Sequence, residues 1–414
     1  MKTSFPFTKL GVAALLLMSL TSCEDILEQY FPKPTPSPTI PTFPNLGLDI
    51  PFYALSGGTR LDGFSTKDPS TRTSSVAITG LQSGERILAM DFRPATGQLY
   101  GVGSSSRLYV INQNTGLARA MGSGAFTPAI IGELVGFDFN PTVDRIRLVT
   151  STGQNLRLNP ETGTVAATDG PVNGAAGGAL LTGAAYTNNT AGATTTVLYG
   201  INTVDKQLYV VNPPNDGTLA AIGALNLNIS GDGGFDIDAK TGTALGLYAV
   251  SGNPTLFSVN LATGAARPLA QYTSNSGYSA IAIPTQPVAY AAVLLCSRAI
   301  GCVTELVTFN PTNPAAGFVS KPISGLRNNE LFRSIDFRPA TGQLYAEGDF
   351  GGIYTINLTT GAATLMNAFT TFIPGGAIGF DFDPVTDVMR HIVPGGVRII
   401  VLTRSAQPSS ETGY

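Results

Sequence analysis

Asp91-Phe92-Arg93-Pro94-Ala95-Thr96-Gly97-Gln98-Leu99-Tyr100 recurs without a change as Asp336 to Tyr345, 245 residues downstream. A decapeptide repeated at that distance marks a chain built by duplication. Weaker copies lie between and beyond: Gly136-Phe137-Asp138-Phe139-Asn140-Pro141, Gly234-Phe235-Asp236-Ile237-Asp238 and Gly379-Phe380-Asp381-Phe382-Asp383-Pro384. Their aspartates are 47 residues apart from 91 to 138 and 45 apart from 336 to 381. That period is close to the length of one four-stranded propeller blade.

Within one period the strands can be read directly. Residues 132–139 give a strand A, Arg145 to Val149 a strand B, Asn155 to Leu158 a strand C and Thr164 to Ala167 a strand D. Asn-Pro and Glu-Thr-Gly punctuate them as turns. Leu-aromatic pairs recur on strands B and C, as Leu99-Tyr100 with Leu108-Tyr109, Leu198-Tyr199 with Leu208-Tyr209, and Leu247-Tyr248 with Leu256-Phe257. Successive strand residues point to opposite faces, so each sheet is apolar on both sides and suits a blade held between two neighbours. In the Pro94-Ala95-Thr96-Gly97 turn, Pro94 presets φ and Gly97 supplies a positive φ.

The first array opens at Phe52 with strands of type B, C and D, ends near Leu81, and lacks a strand A. The missing pattern stands at the far end, in Ser279-Ala280-Ile281-Ala282-Ile283-Pro284. Pairing the two would bury two open edges and make residues 52–285 a five-bladed β-propeller. From Val288 the pattern restarts, but only 288–388 follows it, as a partial second copy, before an aberrant tail at 389–414. Two readings stay open. Either the strand from Ile378 to Phe382 closes onto residues 52–81 as one seven-bladed ring, or the second propeller is truncated, as by a frameshift. Truncation is preferred, because Val397 to Arg404 has none of the Asn-Leu-Arg-Leu-Asn-Pro-Glu pattern seen at 155–161.

The Gly-Phe-Asp-Phe-Asn-Pro and Asp-Phe-Arg-Pro-Ala-Thr-Gly-Gln-Leu-Tyr elements, with Asn-Leu-Arg-Leu-Asn-Pro-Glu-Thr-Gly at 155–163, resemble the bacterial secreted family catalogued as the domain of unknown function numbered 4394. The resemblance covers 52–285 well and 288–388 in part. It implies an extracytoplasmic repeat domain and brings no catalytic residues with it.

Composition narrows the remaining choices. Of 414 residues 43% are hydrophobic and 12% charged, with a net charge of −3; an average soluble domain is roughly a quarter charged. Gly and Pro number 48 and 28, which favours turns and short strands over long helices. Lys2 and Lys9 flank the start of an apolar run from Leu10 to Leu20 that is too short to span a bilayer. With Leu20-Thr21-Ser22-Cys23 it reads as a lipoprotein signal peptide at 1–22, with Cys23 as the lipidated first residue. Such a cysteine carries the two acyl chains that stable anchoring needs. Removing Lys2 and Lys9 leaves 22 basic against 27 acidic residues, a charge of −5, which gives no attraction to nucleic acid. Residues 23–50 form an anchored linker whose prolines between Phe31 and Pro44 favour an extended stalk. The expected location is the cell envelope, on the outer membrane. Glu24 and Asp25 fit either surface export or a solvated linker.

Little catalytic vocabulary is present. His391 is the single histidine and lies in the aberrant tail, so a zinc site built on several histidines cannot be assembled and a Ser-His-Asp triad is not expected. Cys296 and Cys302 read as a disulfide stapling a hairpin. The strand A aspartates Asp91, Asp138, Asp236, Asp336 and Asp381 are the candidate site, with Asp91, Asp138 and Asp236 as possible ligands of Ca²⁺. Ala185 and Ala282 break the ring at the matching positions, so the preferred role is acceptance of turn amides. The function expected is a lipid-anchored, non-enzymatic binding or scaffold module for an envelope protein or glycan. The alternatives are a hydrolase or lyase using channel carboxylates with Ca²⁺, and a truncated duplicate without its own role.

Overall fold

The computed structural model describes residues 43–413 apart from 176–180, 298–300, 328–329, 340, 369–378, 384–385, 394–395 and 403–407. The signal peptide at 1–22, Cys23 and the proline-rich linker as far as residue 42 lie outside the described residues. Everything described is β-structure, turn or loop, with helix limited to single 3-10 turns at Ser274–Ser276 and Pro314–Ala316.

The strands form successive antiparallel sheets in chain order. Sheet 1 starts with β1 (Pro51–Ser56), β2 (Arg60–Ser65) and β3 (Ser74–Ala77). Sheet 2 is β4 (Ile87–Phe92), β5 (Leu99–Gly103), β6 (Leu108–Ile111) and β7 (Ala118–Ala120). Sheet 3 is β8 (Val135–Asn140), β9 (Arg145–Thr150), β10 (Asn155–Asn159) and β11 (Thr164–Thr168). Sheet 4 is β12 (Leu181–Tyr186), β13 (Leu198–Asn202), β14 (Gln207–Val211) and β15 (Leu219–Ala224). Sheet 5 is β16 (Ile229–Ile237), β17 (Ala244–Val250), β18 (Asn253–Val259) and β19 (Ala266–Gln271). Then β20 (Tyr278–Ala282) returns to the start and becomes the fourth strand of sheet 1.

That return bears on the two closures read from the sequence. β20 pairs with β1 through Tyr53↔Ala282, Ala54↔Ile281 and Leu55↔Ala280. The strand considered for a seven-bladed closure, Gly379–Phe382, pairs elsewhere. The edge of β1 is already filled by a strand of the same pattern from the first array, so the seven-bladed alternative is corrected.

Alternating side chains tie each sheet to both neighbours. Leu99 packs with Leu55 and Leu61 of sheet 1 and with Ile78 just beyond it, whereas Tyr100, the next residue, packs with Phe137, Phe139 and Leu148 of sheet 3. In sheet 5, Leu247 and Leu256 face Phe52 and Phe64 of sheet 1, while Tyr248 and Phe257 face Ile201 and Leu208 of sheet 4. One register assignment needs correction. Asp91 is opposed to Tyr100, but Asp236 is opposed to Leu245, so the Leu247-Tyr248 pair lies three residues further along than Leu99-Tyr100. The inner strands β4, β8, β12, β16 and β20 each lie against the next, and β20 lies against β4. Glycine permits this approach: a Cβ on Gly136 of β8 would stand 2.9 Å from the backbone nitrogen of Ala184 in β12.

The second array repeats the program. Sheet 6 has three strands, β21 (Ala289–Ser297), β22 (Gly301–Phe309) and β23 (Phe318–Pro322). Sheet 7 is β24 (Phe332–Arg338), β25 (Gln343–Gly348), β26 (Gly352–Ile356) and β27 (Ala363–Ala368). Sheet 8 is β28 (Gly379–Phe382), β29 (Val388–Val393), β30 (Gly396–Leu402) and β31 (Pro408–Gly413). The residues after 388, expected to be an aberrant tail, therefore carry three of the four strands of sheet 8. Their motif is lost, but the run from Val397 to Leu402 keeps the β-branched content that strands favour.

Candidate functional site

The duplicated decapeptide is an inter-sheet fastening, and its polar residues explain their own recurrence. Asp91 Oδ2 accepts the amide of Phe139 at 2.8 Å, so the inner strand of sheet 2 holds that of sheet 3. Asp138 Oδ1 accepts Tyr186 N at 3.0 Å, and Asp236 Oδ2 accepts Ile283 N at 2.6 Å. In the second array Asp336 Oδ2 accepts Phe382 N at 2.8 Å. Asp91, Asp236 and Asp336 each accept the following residue's amide as well. The expectation of backbone bonding thus meets strand amides instead of turn amides, and the bonds run from sheet to sheet. Ala185 and Ala282 stand opposite Tyr199 and Tyr53, and alanine has no such oxygen to offer.

Arg93 makes the second fastening. Its guanidinium is fully buried and donates from Nε to Asp144 Oδ1 at 2.9 Å and from Nη2 to both Asp144 Oδ2 and Glu161 Oε1. Asp144 sits in the β8–β9 turn with φ +51°, a conformation that Asp tolerates better than most residues. The second array copies the pair: Arg338 donates to Asp387 at 2.9 and 2.6 Å, with Asp387 at φ +56°. Glu85, bonded to Ser105 and Tyr109, likewise corresponds to Glu330, bonded to Phe350, Gly352 and Tyr354.

The three aspartates of the first array converge. One carboxylate oxygen from each of Asp91, Asp138 and Asp236 lies within 4.8 Å of the others, and all three residues are buried. Burial pushes each carboxyl upward. Asp138 is raised further by the charges of Asp91 and Asp236, and Asp91 by that of Asp236. Asp236 reaches about 7, although the amides of Ile283 and Ile237 pull against the rise. Asp336 and Asp381 belong to the second array and border a separate open hollow with Arg390.

Beside this layer the space between the inner strands narrows to a void of about 10 Å³ lined by Met90, Phe137, Gly183, Gly234 and Ile281, among others. A cavity of about 340 Å³ lies between the arrays, with Pro94, Asp144 and Thr194 on one side and Tyr290, Thr308 and Lys321 on the other. This cleft has no signature in the sequence, because its walls come from turns and strands far apart in the chain. Tyr290 donates to Ala95 O across it at 2.9 Å, and Lys321 Nζ donates to Leu358 O at 3.0 Å.

Cys296 and Cys302 oppose each other in the β21–β22 hairpin and are joined by a disulfide. The single histidine, His391, is buried with Nε2 2.9 Å from Glu347 Oε1. That contact was not foreseen, since Glu347 lies in a different sheet.

These features define an all-β protein of repeated four-stranded antiparallel units fastened by acidic and arginine side chains. The chain belongs to the family described as domain of unknown function DUF4394, whose model matches residues 60–282 and 305–398. The match covers one full copy and a shortened second one, as the resemblance implied, and its second part runs ten residues past the expected limit at 388. No curated protein matches the chain. Among solved structures, a chain of Kuenenia stuttgartiensis hydrazine synthase is similar at 10% identity and a TM-score of 0.31, over 78% of this chain and 97% of that one. A likeness that distant carries nothing about activity.

Proposed function

We propose that the chain is a lipid-anchored, non-catalytic binding module of a bacterial cell envelope, in which the first five sheets close into a five-bladed β-propeller. The pairing of β20 with β1 supports the closure, as does the circuit of inner strands in which β20 also meets β4. The observation that carries the non-catalytic reading is the use made of the carboxylates. Asp91, Asp138 and Asp236 accept amides of neighbouring sheets, and the adjoining void of about 10 Å³ has room for about one water molecule. Acids placed this way brace sheets, and a polymer substrate has no path to them. The cleft between the arrays, at about 340 Å³, falls in the size range of ligand pockets. It is the favoured seat for an envelope peptide or glycan.

The anchor rests on Lys2, Lys9, the run from Leu10 to Leu20 and Leu20-Thr21-Ser22-Cys23. Among the described residues no helix is long and apolar enough to cross a membrane. Full-length protein made in a Gram-negative host with labelled palmitate is expected to carry label and sediment with outer membrane through a high-salt wash. Cys23→Ser is expected to lose both properties. An unlabelled wild-type chain overturns the anchor. A measured turnover abolished in Asp138→Ala at unchanged melting temperature overturns the non-catalytic reading.

A further inference from the structure

We propose that the carboxylates of Asp91, Asp138 and Asp236 form a binding site for a hard divalent cation of the Ca²⁺ class, which pins the inner strands of sheets 2, 3 and 5 to one another. The donor geometry comes first. Two oxygens on one Ca²⁺ at 2.3–2.6 Å can stand no more than about 5 Å apart, and one oxygen from each aspartate lies within 4.8 Å of the others. The donors are all oxygen, the set that hard cations take.

A second observation points to a ligand. Asp138 is 1% exposed, and its Oδ2 is buried with no hydrogen-bond partner. Asn189 interacts with the Asp138 carboxylate, and its own Oδ1 is also buried without a partner. A buried carboxylate oxygen left in this state is costly, and a cation held by the three aspartates would satisfy it. Meanwhile Phe92 and Phe139 hold both oxygens of Asp91, and Ile237 and Ile283 hold both oxygens of Asp236. Each carboxylate is thereby fixed, with lone pairs to spare.

Charge balance gives the same answer. Among the described residues no Arg or Lys forms a salt bridge with the three aspartates. Arg93 is engaged by Asp144 and Glu161, and Arg147 by Asp169. Three carboxylates gathered in a dry interior must be neutralised by protons or by a bound cation. A divalent ion would remove the need for those protons.

The test uses the full chain, stripped with EDTA and returned to chelator-treated buffer near neutral pH. Addition of CaCl₂ is expected to load one Ca²⁺ per chain, read by metal analysis after gel filtration. It is also expected to raise the melting temperature by about 5–10 °C at a hundredfold excess over Kd. Asp138→Asn keeps an oxygen for Tyr186 N and is expected to lose about tenfold or more in affinity, and with it the calcium-dependent shift. Asp68→Asn, at an exposed turn, is expected to keep the full shift. The proposal is overturned if neither Ca²⁺ nor Mg²⁺ moves the melting temperature and no metal is retained. In that outcome Asp138→Asn raises the melting temperature with or without metal, because protons alone balance the cluster. Should Asp138→Asn not fold, the metal content and calcium-dependent melting of the wild-type chain decide the matter.

Discussion

Arg93→Ala is expected to destabilise the first array by about 3–5 kcal/mol, the usual cost of removing one partner of a buried ion pair. The guanidinium is fully buried and donates two bonds to Asp144, with Glu161 completing its charge balance. Without it the Asp144 carboxylate loses both of the bonds the guanidinium gives it at the sheet 2–sheet 3 interface. Arg93→Lys is expected to recover only part of the loss, because an ammonium cannot reproduce the two-pronged geometry. Arg338→Ala, the equivalent change in the second array, should cost less, since the Asp387 side chain is 31% exposed and water can solvate it. Urea denaturation of the three variants measures all of this. A loss below about 1 kcal/mol for Arg93→Ala is the range of a solvated pair and contradicts the clamp.

The second large effect is on pH dependence. In EDTA, stability is expected to fall as the pH rises from about 4.5 to about 7.5. Burial raises Asp236 to about 7, while the same group in the unfolded chain titrates near 3.9. Between those values the folded chain keeps a proton that the unfolded chain has released, so each step upward in pH favours unfolding. For Asp236 alone the loss across the window is on the order of 4 kcal/mol. Asp91 and Asp138 shift in the same direction, driven by burial and then by neighbouring carboxylate charge. Asp62 and Asp169 act oppositely. Burial would raise them, but bonds from Ser75, Tyr278 and Arg60 to Asp62, and from Arg157 and Arg147 to Asp169, leave both lowered. Their contribution is present above the unfolded carboxylate value and is lost only as the pH falls below about 4, so it does not mask the decline. Saturating Ca²⁺ is expected to abolish the decline. Urea midpoints that stay flat or rise with pH in EDTA contradict the buried carboxylate cluster.

Much of the architecture could be read from local pattern, because turn chemistry and period-2 alternation act within a few residues. The strands expected at Arg145 to Val149, Asn155 to Leu158 and Thr164 to Ala167 match β9, β10 and β11 to within one residue at each end. The match of Ser279–Pro284 to a missing strand A rested on the same alternation. Asp91, Asp138 and Asp236 could be singled out because equal positions in equal sheets come to equal places in space. The Arg93–Asp144 clamp escaped notice because its partners lie 51 residues apart and only the packing of two sheets joins them. One signal was available: both members recur 49 residues apart as Arg338 and Asp387. The same 245-residue offset relates Glu85 to Glu330. His391 and Glu347 left no such trace, and the cleft at Tyr290 and Lys321 is a product of how the arrays meet. The strands after residue 388 carry none of the repeat's motif, and only β-propensity marks them.

The most direct test of the closure by β20 is cysteine trapping of its partner strand. Leu55→Cys combined with Ala280→Cys places thiols on opposed residues of β1 and β20. Mild oxidation and peptide mapping are expected to give one cross-link between the peptides carrying positions 55 and 280, with a raised melting temperature. Leu55→Cys combined with Asp381→Cys is expected to give none. A cross-link from 55 to 381 and none to 280 would mean that β28, and not β20, lies along β1, and the arrangement of the first five sheets described above would be wrong.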